Sequence, residues 1–302
     1  YVVAVGSGTD ALMLSLKALG VKEGDEVITT PYTFYATIGA IVTAGAKPVF
    51  VDVDEYYNIN VDKIENKINK KTKAILPVHW SGRICNMKKI KMISSKYGVP
   101  IVEDACHAIS ARYYKNFAGK FGDFGCFSLH PLKNLNVWGD GGFVIVKNKK
   151  QYQNLRLMRN HGLVSRNKNL IFGYNSRLDT IQAVVANHLL KKIKNITKKR
   201  IENSLYLEKR LKFLNGLIFK ERSKHLVEVF HLYEFRLQNS KLREPLVKYL
   251  RKNNIDAKIH YPIPMHLQPA AKKYIYKKGD FPICDKIAKS TVSLPVPEHL
   301  NK

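Results

Sequence analysis

Lys133 stands in a short Pro-containing loop, five residues beyond Ser128. A lysine held beside the ends of sheet strands sheds its proton through partial desolvation, and its free amine attacks carbonyls. Asp104 lies in Val102-Glu103-Asp104-Ala105-Cys106-His107, where a buried strand is predicted to end. A carboxylate there pairs with a protonated ring nitrogen. Gly6-Ser7-Gly8-Thr9-Asp10 joins a predicted strand to a predicted helix. Gly8 allows close backbone approach, and the helix N-terminus offers free N–H groups and partial positive charge. That describes an anion site, most simply for a phosphate. Phe34 opens another helix after a strand, and its flat face suits a planar ring. Each feature has a plainer reading alone: a turn, an N-cap or surface acid, a solvated lysine, a core aromatic. Together, with Ser128 beside the phosphate, they describe a site for pyridoxal 5′-phosphate, with Lys133 bonding its aldehyde and Asp104 pairing with its ring nitrogen.

The elements that must position these residues alternate. Helices are predicted over residues 9–19 (Thr9 the N-cap, Gly20 the stop), 33–44, 61–68 and 87–97. Strands are predicted over 2–5, 26–30, 47–53, 72–78, 100–103, 124–129 and 142–146. This order implies an α/β fold, a mostly parallel sheet flanked by helices on both faces, with ligands beyond the carboxyl ends of the strands. Residues 176–213 read as one or two long helices. A strand over 227–237, a helix over 241–253, a strand over 256–260 and a Pro-rich segment follow. The expected division is a large domain over 1–185, a connecting helical region over 186–215 and a smaller C-terminal α+β domain over 216–302.

Composition narrows the class. The 302 residues are 45% hydrophobic and 25% charged, ordinary for a globular chain. No stretch approaches the roughly 18 apolar residues of a membrane span. Lys and Arg number 51 against 24 Asp and Glu, a net charge of +27 that attracts anions. Lysine is abundant throughout, so the charge alone names no partner. The four cysteines, at 85, 106, 126 and 284, show neither zinc-ligand spacing nor a disulfide framework, and no metal is expected. A reducing cytoplasm fits them.

Several tracts resemble the DegT/StrS-type nucleotide-sugar aminotransferases of the fold-type I pyridoxal-phosphate enzymes. They are GSGTDAL (6–12), PYTFYAT (31–37), PVHWSG (77–82), VEDACHA (102–108), FSLHPLKNLNVWGDGG (127–142), RNHG (159–162), GYNSRLDTIQA (173–183), IHYPIPMHLQP (259–269), GDFP (279–282) and SLPVP (293–297). The resemblance runs through the whole chain in family order. It implies that Lys133 is the Schiff-base lysine and Asp104 the partner of the pyridine nitrogen. It places His107 near the ring hydroxyl and Gly8, Thr9 and Ser128 at the phosphate. Asn175 would reach the phosphate of a neighbouring subunit, and His260 and Tyr261 would lie near the sugar. It further implies a homodimer with shared active sites, an amino-acid donor, L-glutamate, and a keto nucleotide sugar as acceptor. GDGG after the lysine and SRLD after Asn175 favour C3 over C4, although His130 also occurs among C4 enzymes. One subgroup replaces the lysine with His and dehydrates sugars; Lys133 argues against that branch. Relatives carry a segment before GSGTDAL and a helix after SLPVP, both expected to be absent here. The alternatives are a cofactor-binding regulator or nucleic-acid binder exploiting the +27 charge, and an inactive truncated homologue. No nucleic-acid-binding signature supports the second class.

Overall fold

The computed structural model describes residues 1–300. In chain order the strands are β1 (Val2–Val5), β2 (Glu26–Thr29), β3 (Lys47–Phe50), β4 (Thr72–Ile75) and β5 (Val102–Asp104). A small hairpin, β6 (Arg112–Tyr113) and β7 (Asn116–Phe117), precedes β8 (Phe124–Ser128) and β9 (Gly142–Val146). A second hairpin is formed by β10 (Leu163–Ser165) and β11 (Lys168–Asn169). The last third adds β12 (Leu217–Ile218), β13 (Leu226–Val227), β14 (Tyr233–Leu237) and β15 (Thr291–Leu294).

Strands β2, β3 and β4 pair in parallel. Parallel bridges Ile75–Ile101 and Val78–Asp104 lead on to β5. β5 is parallel to β8, while β9 runs antiparallel to both β8 and β1. The order across the sheet is therefore β3-β2-β4-β5-β8-β9-β1, with β9 alone reversed. This is the mostly parallel α/β sheet the alternation predicts.

Helix α1 (Gly8–Ala18) packs on one face, with α2 (Tyr35–Thr43) and α4 (Lys149–Met158); Leu12, Leu16, Ile41 and Leu155 are buried against Val3, Val5, Phe124 and Val144. Helix α3 (Met87–Tyr97) covers the other face through Ile90 and Ile93. Burying each such side chain contributes about 1.5–3 kcal/mol. α3 keeps its predicted bounds because both ends are marked. The Asn86 side chain accepts from the Lys89 N–H, and Gly98 takes a left-handed conformation (φ 65°) that ends the helix.

Elsewhere the elements differ from expectation. Ser7, not Thr9, caps α1: its extended backbone lets Oγ accept the Asp10 N–H at 3.0 Å, and Thr9 lies inside the helix. Residues 61–68 form two 3₁₀ turns, Val61–Lys63 and Glu65–Lys67. Only Ile64 is fully buried there, too little packing to sustain so short an α-helix. The long helical stretch is two helices, α5 (Thr180–Leu190) and α6 (Ile193–Leu211). The strand predicted over 227–237 is split into β13 and β14. The helix over 241–253 begins with a 3₁₀ turn, Ser240–Leu242, before α7 (Arg243–Lys252). Over 256–260 only Lys258 pairs, with Ser293, before the prolines turn the chain away.

The C-terminal sheet β12-β14-β15 is antiparallel and packs on α6 and α7. Helix α8 (Pro282–Ser290) instead buries Cys284 and Ile287 against Tyr32, Phe50 and Trp80 of the first half. β13 pairs with β6, a second tie between the halves. We propose the division at 185 and 215 as the domain description; the cuts fall within α5 and just after α6.

Candidate active site

Beyond the carboxyl ends of β5 and β8 lies a cavity of about 300 Å³. Gly8, Thr9, Phe34, Asp104, His107, Ser128, Lys133, His260 and Tyr261 all line it. Of the residues singled out in the sequence, Asn175 alone is outside; it is exposed and bridges to Asn160.

Asp104 is the last residue of β5 and is 5% exposed. Its Oδ2 accepts the Thr37 hydroxyl at 2.8 Å, and Thr37 is linked to the Thr33 hydroxyl at 2.7 Å. Its Oδ1 accepts the Cys106 N–H at 3.2 Å. Alternation along the strand sends Glu103 the other way. Glu103 accepts from the N–H groups of Gly119, Phe121 and Gly122 and meets His79 Nε2 at 2.9 Å, so it anchors the loop behind the sheet.

Lys133 is carried by the loop after β8. Its backbone N–H donates to the His130 carbonyl, and Asn136 Nδ2 donates to the Lys133 carbonyl at 3.0 Å. The neighbouring Asn134 is buried and donates through Nδ2 to the Val229 carbonyl at 2.9 Å. The amine takes part in no ion pair or hydrogen bond among the described residues. Burial pulls its pKa below the ordinary lysine value, with Cys106 and Asp104 acting in the opposite direction. The outcome is an amine that is easier to deprotonate, close to a carboxylate.

At the phosphate end, α1 approaches β8 so closely that a Cβ on Gly8 would lie 2.6 Å from Ser128 Cβ and 3.1 Å from Cys106 Sγ. Only glycine allows this cradle. The first-turn N–H groups of Gly8 and Thr9 have no partner within the helix. Phe34 precedes α2 and is 47% exposed, its ring 5.9 Å from that of Tyr261. His107 Nδ1 faces the Ser81 N–H at 3.4 Å, which leaves Nε2 as the donor. Burial first, and then the Lys133 charge, hold the His107 imidazole well below its ordinary pKa. His260 Nδ1 is 2.9 Å from Ser293 Oγ, and its carbonyl accepts the Tyr32 hydroxyl. A glycine-lined helix end, an unpaired amine and a hydrogen-bonded buried carboxylate on one cavity fit a phosphorylated pyridine aldehyde.

The model of the DegT/DnrJ/EryC1/StrS aminotransferase family matches residues 1–302. The chain belongs to this family. It is 38% identical over 299 residues to the dTDP-3-amino-3,6-dideoxy-alpha-D-galactopyranose transaminase of Aneurinibacillus thermoaerophilus, covering 98% of this chain and 80% of that one. Its fold superposes on DesV of S. venezuelae in complex with a ketimine intermediate, with a TM-score of 0.95, 33% identity and coverage of 100% and 81%. NtdA of Bacillus subtilis with bound cofactor PMP gives a TM-score of 0.90, 30% identity and coverage of 99% and 69%. The fold of this aminotransferase is thus fold-type I, as the resemblance implies.

Residues of this family member beyond those assigned to cofactor or sugar also line the cavity. Thr37 reads as an ordinary helix residue, yet it holds Asp104. Cys106 and His231 also line the cavity, and so do His130 and Asp140. His231 lies between two short strands of the C-terminal half, where no local pattern marks it. The four cysteines are unpaired, and no helix among the described residues is long and apolar enough to cross a membrane.

Proposed function

We propose that this chain is a pyridoxal-phosphate-dependent aminotransferase that converts the keto group of a nucleoside-diphosphate sugar to an amine, at C3, with L-glutamate as donor. The observation that carries this reading is the placement of Lys133 and Asp104 on one cavity that the N-terminus of α1 also lines. The C3 preference is supported by Gly139-Asp140-Gly141-Gly142 and Ser176-Arg177-Leu178-Asp179 and by the 3-amino product in the name of the Aneurinibacillus relative.

Gly8, Thr9 and Ser128 hold the phosphate, and Phe34 covers one ring face. Asp104, kept in place by Thr37, holds a proton on the ring nitrogen. His107 Nε2–H donates to the ring hydroxyl. When bound, the cofactor supplies an electron-withdrawing ring that takes up negative charge developing on the neighbouring carbon. Lys133 Nζ anchors the aldehyde at rest. Once free, it takes the proton from Cα of the donor and in the second half-reaction returns one to the sugar carbon. His260 and Tyr261 face the sugar. Asn175 and the exposed apolar residues Leu132, Trp138, Phe172 and Tyr174 support a homodimer in which Asn175 serves the partner's phosphate site.

The test is incubation with L-glutamate and a panel of 3-keto and 4-keto UDP- and dTDP-sugars, with products read by mass spectrometry and NMR. A 3-amino sugar is the expected product. A 4-amino sugar overturns the C3 assignment, and no transfer from glutamate overturns the donor.

A further inference from the structure

Three rings that line the cavity, Tyr261, His107 and His231, belong to one packed row, with the buried Trp80 set behind Tyr261 and His107. Tyr261 lies 5.2 Å from Trp80, Trp80 5.5 Å from His107, and His107 4.2 Å from His231, the last pair tilted by only 35°. Trp80 is fixed by its Nε1–H, which donates to the buried Glu234 at 2.9 Å. His107 is fixed by Ser81. His231 differs from its neighbours: neither ring nitrogen has a hydrogen-bond partner, and Nδ1 is fully buried. Nδ1 is closed off, so the nitrogen that a cavity ligand can reach is Nε2, which is unpaired and not fully buried; imidazole nitrogens inside proteins are nearly always paired, and this one points to a missing ligand group.

The backbone is also arranged to present this side chain. Phe230, directly before it, has φ 46°, and Ser81, facing it, has φ 58°. Bulky residues in this region are sterically costly and persist only where the surroundings enforce them. Here the surroundings do so. The His231 N–H donates to the Ser81 carbonyl at 3.0 Å, and Ser81 Oγ donates to the Leu232 carbonyl at 2.7 Å. Arg200 donates to the carbonyls of Phe230 and His231 at 3.0–3.2 Å and is itself paired with Glu298 at 3.3 Å. A strained crossing with this many fixed contacts has one visible result: it places the His231 ring on the cavity wall.

We propose that His231 hydrogen-bonds a hydroxyl of the keto-sugar substrate and so helps to select the sugar. This rests on the aminotransferase reading above. Burial first, then His107 and Lys133, depress its pKa, so it faces the cavity uncharged. In an uncharged imidazole Nε2 is a donor or an acceptor according to the tautomer, and a hydroxyl can meet either. A donor carboxylate or a phosphate calls for a cation or a helix end instead. The charged and titratable groups around it are Lys133, Arg200, His107 and His260.

The test separates the two half-reactions by single-turnover absorbance, the glutamate half-reaction on PLP-loaded protein and the sugar half-reaction on protein loaded with pyridoxamine phosphate. His231→Phe keeps a flat ring against His107 and removes hydrogen bonding, whereas His231→Asn keeps hydrogen bonding. With a 3-keto UDP- or dTDP-sugar as probe, His231→Phe is expected to lower kcat/KM of the sugar half-reaction about tenfold, the effect of one net hydrogen bond. The glutamate half-reaction and PLP affinity stay within about twofold. His231→Asn recovers most of the loss, and a sugar lacking the contacted hydroxyl is handled alike by wild type and His231→Phe. Equal losses in both half-reactions, or none in either, overturn the assignment while leaving the aminotransferase reading intact. Wild-type protein that takes up no PLP overturns both.

Discussion

The Thr37 hydroxyl donates to Oδ2 of Asp104 at 2.8 Å, across the gap between α2 and the end of β5. Both residues are buried, so the carboxylate that faces the cavity is oriented by a second element. Thr37→Val keeps the shape and removes the donor. It is expected to destabilise the carboxylate by about 1–3 kcal/mol and to slow turnover about tenfold. Thr37→Ser restores the rate. Asp104→Ala is expected to slow turnover at least about a hundredfold. Steady-state kinetics on the three variants check the order; a Thr37→Val enzyme at wild-type rate removes this role.

Lys133→Ala removes the only side-chain amine among the described residues that line the cavity. PLP then binds without being trapped by borohydride, and turnover falls on the order of a thousandfold or more. Mass spectrometry after reduction reads the first outcome: a reduced PLP adduct on Lys133 in wild type and none in the variant. An adduct on another lysine contradicts the assignment.

Gly8→Ala brings a methyl group to 2.6 Å from Ser128 Cβ. The helix end must retreat, at a cost of about 1–3 kcal/mol in stability. PLP affinity is expected to drop about tenfold, measured by absorbance titration. Unchanged affinity with an unchanged melting temperature excludes the close approach as the basis of phosphate binding.

The imidazoles of His107, His231 and His260 are all held below their ordinary pKa, chiefly by burial. In the unfolded chain they take up protons near about pH 6.5, whereas in the folded chain they do so only lower. Between those values the unfolded state binds more protons, so stability falls as pH drops below about 6.5. The cofactor-free protein is expected to melt at a lower temperature at about pH 5.5 than at about pH 7.5. His231→Phe should flatten that slope. A melting temperature that rises on acidification contradicts the argument.

Much of the sheet was legible because apolar runs and helical periodicity alternate, and because Gly98-Val99-Pro100 closes α3. The reversal of β9 was not, since strand direction leaves no trace in a short apolar run. Residues 61–68 misled because their spacing suits a helix while only Ile64 packs. That Lys133 and Asp104 come together on one cavity was legible from their types and from their places at and just beyond the ends of neighbouring strands. Thr37 and His231 were not, because their significance arises from contacts made across the chain: Thr37 with Asp104, His231 with His107 and Ser81.

The bond from Asn134 to the Val229 carbonyl ties the lysine loop to the chain that enters the C-terminal sheet. Recombination that exchanged this half for one with different sugar preferences would also exchange the strut beneath the reactive amine. Any exchange of that half must therefore leave the backbone path around residue 229 unchanged if the lysine loop is to keep its support.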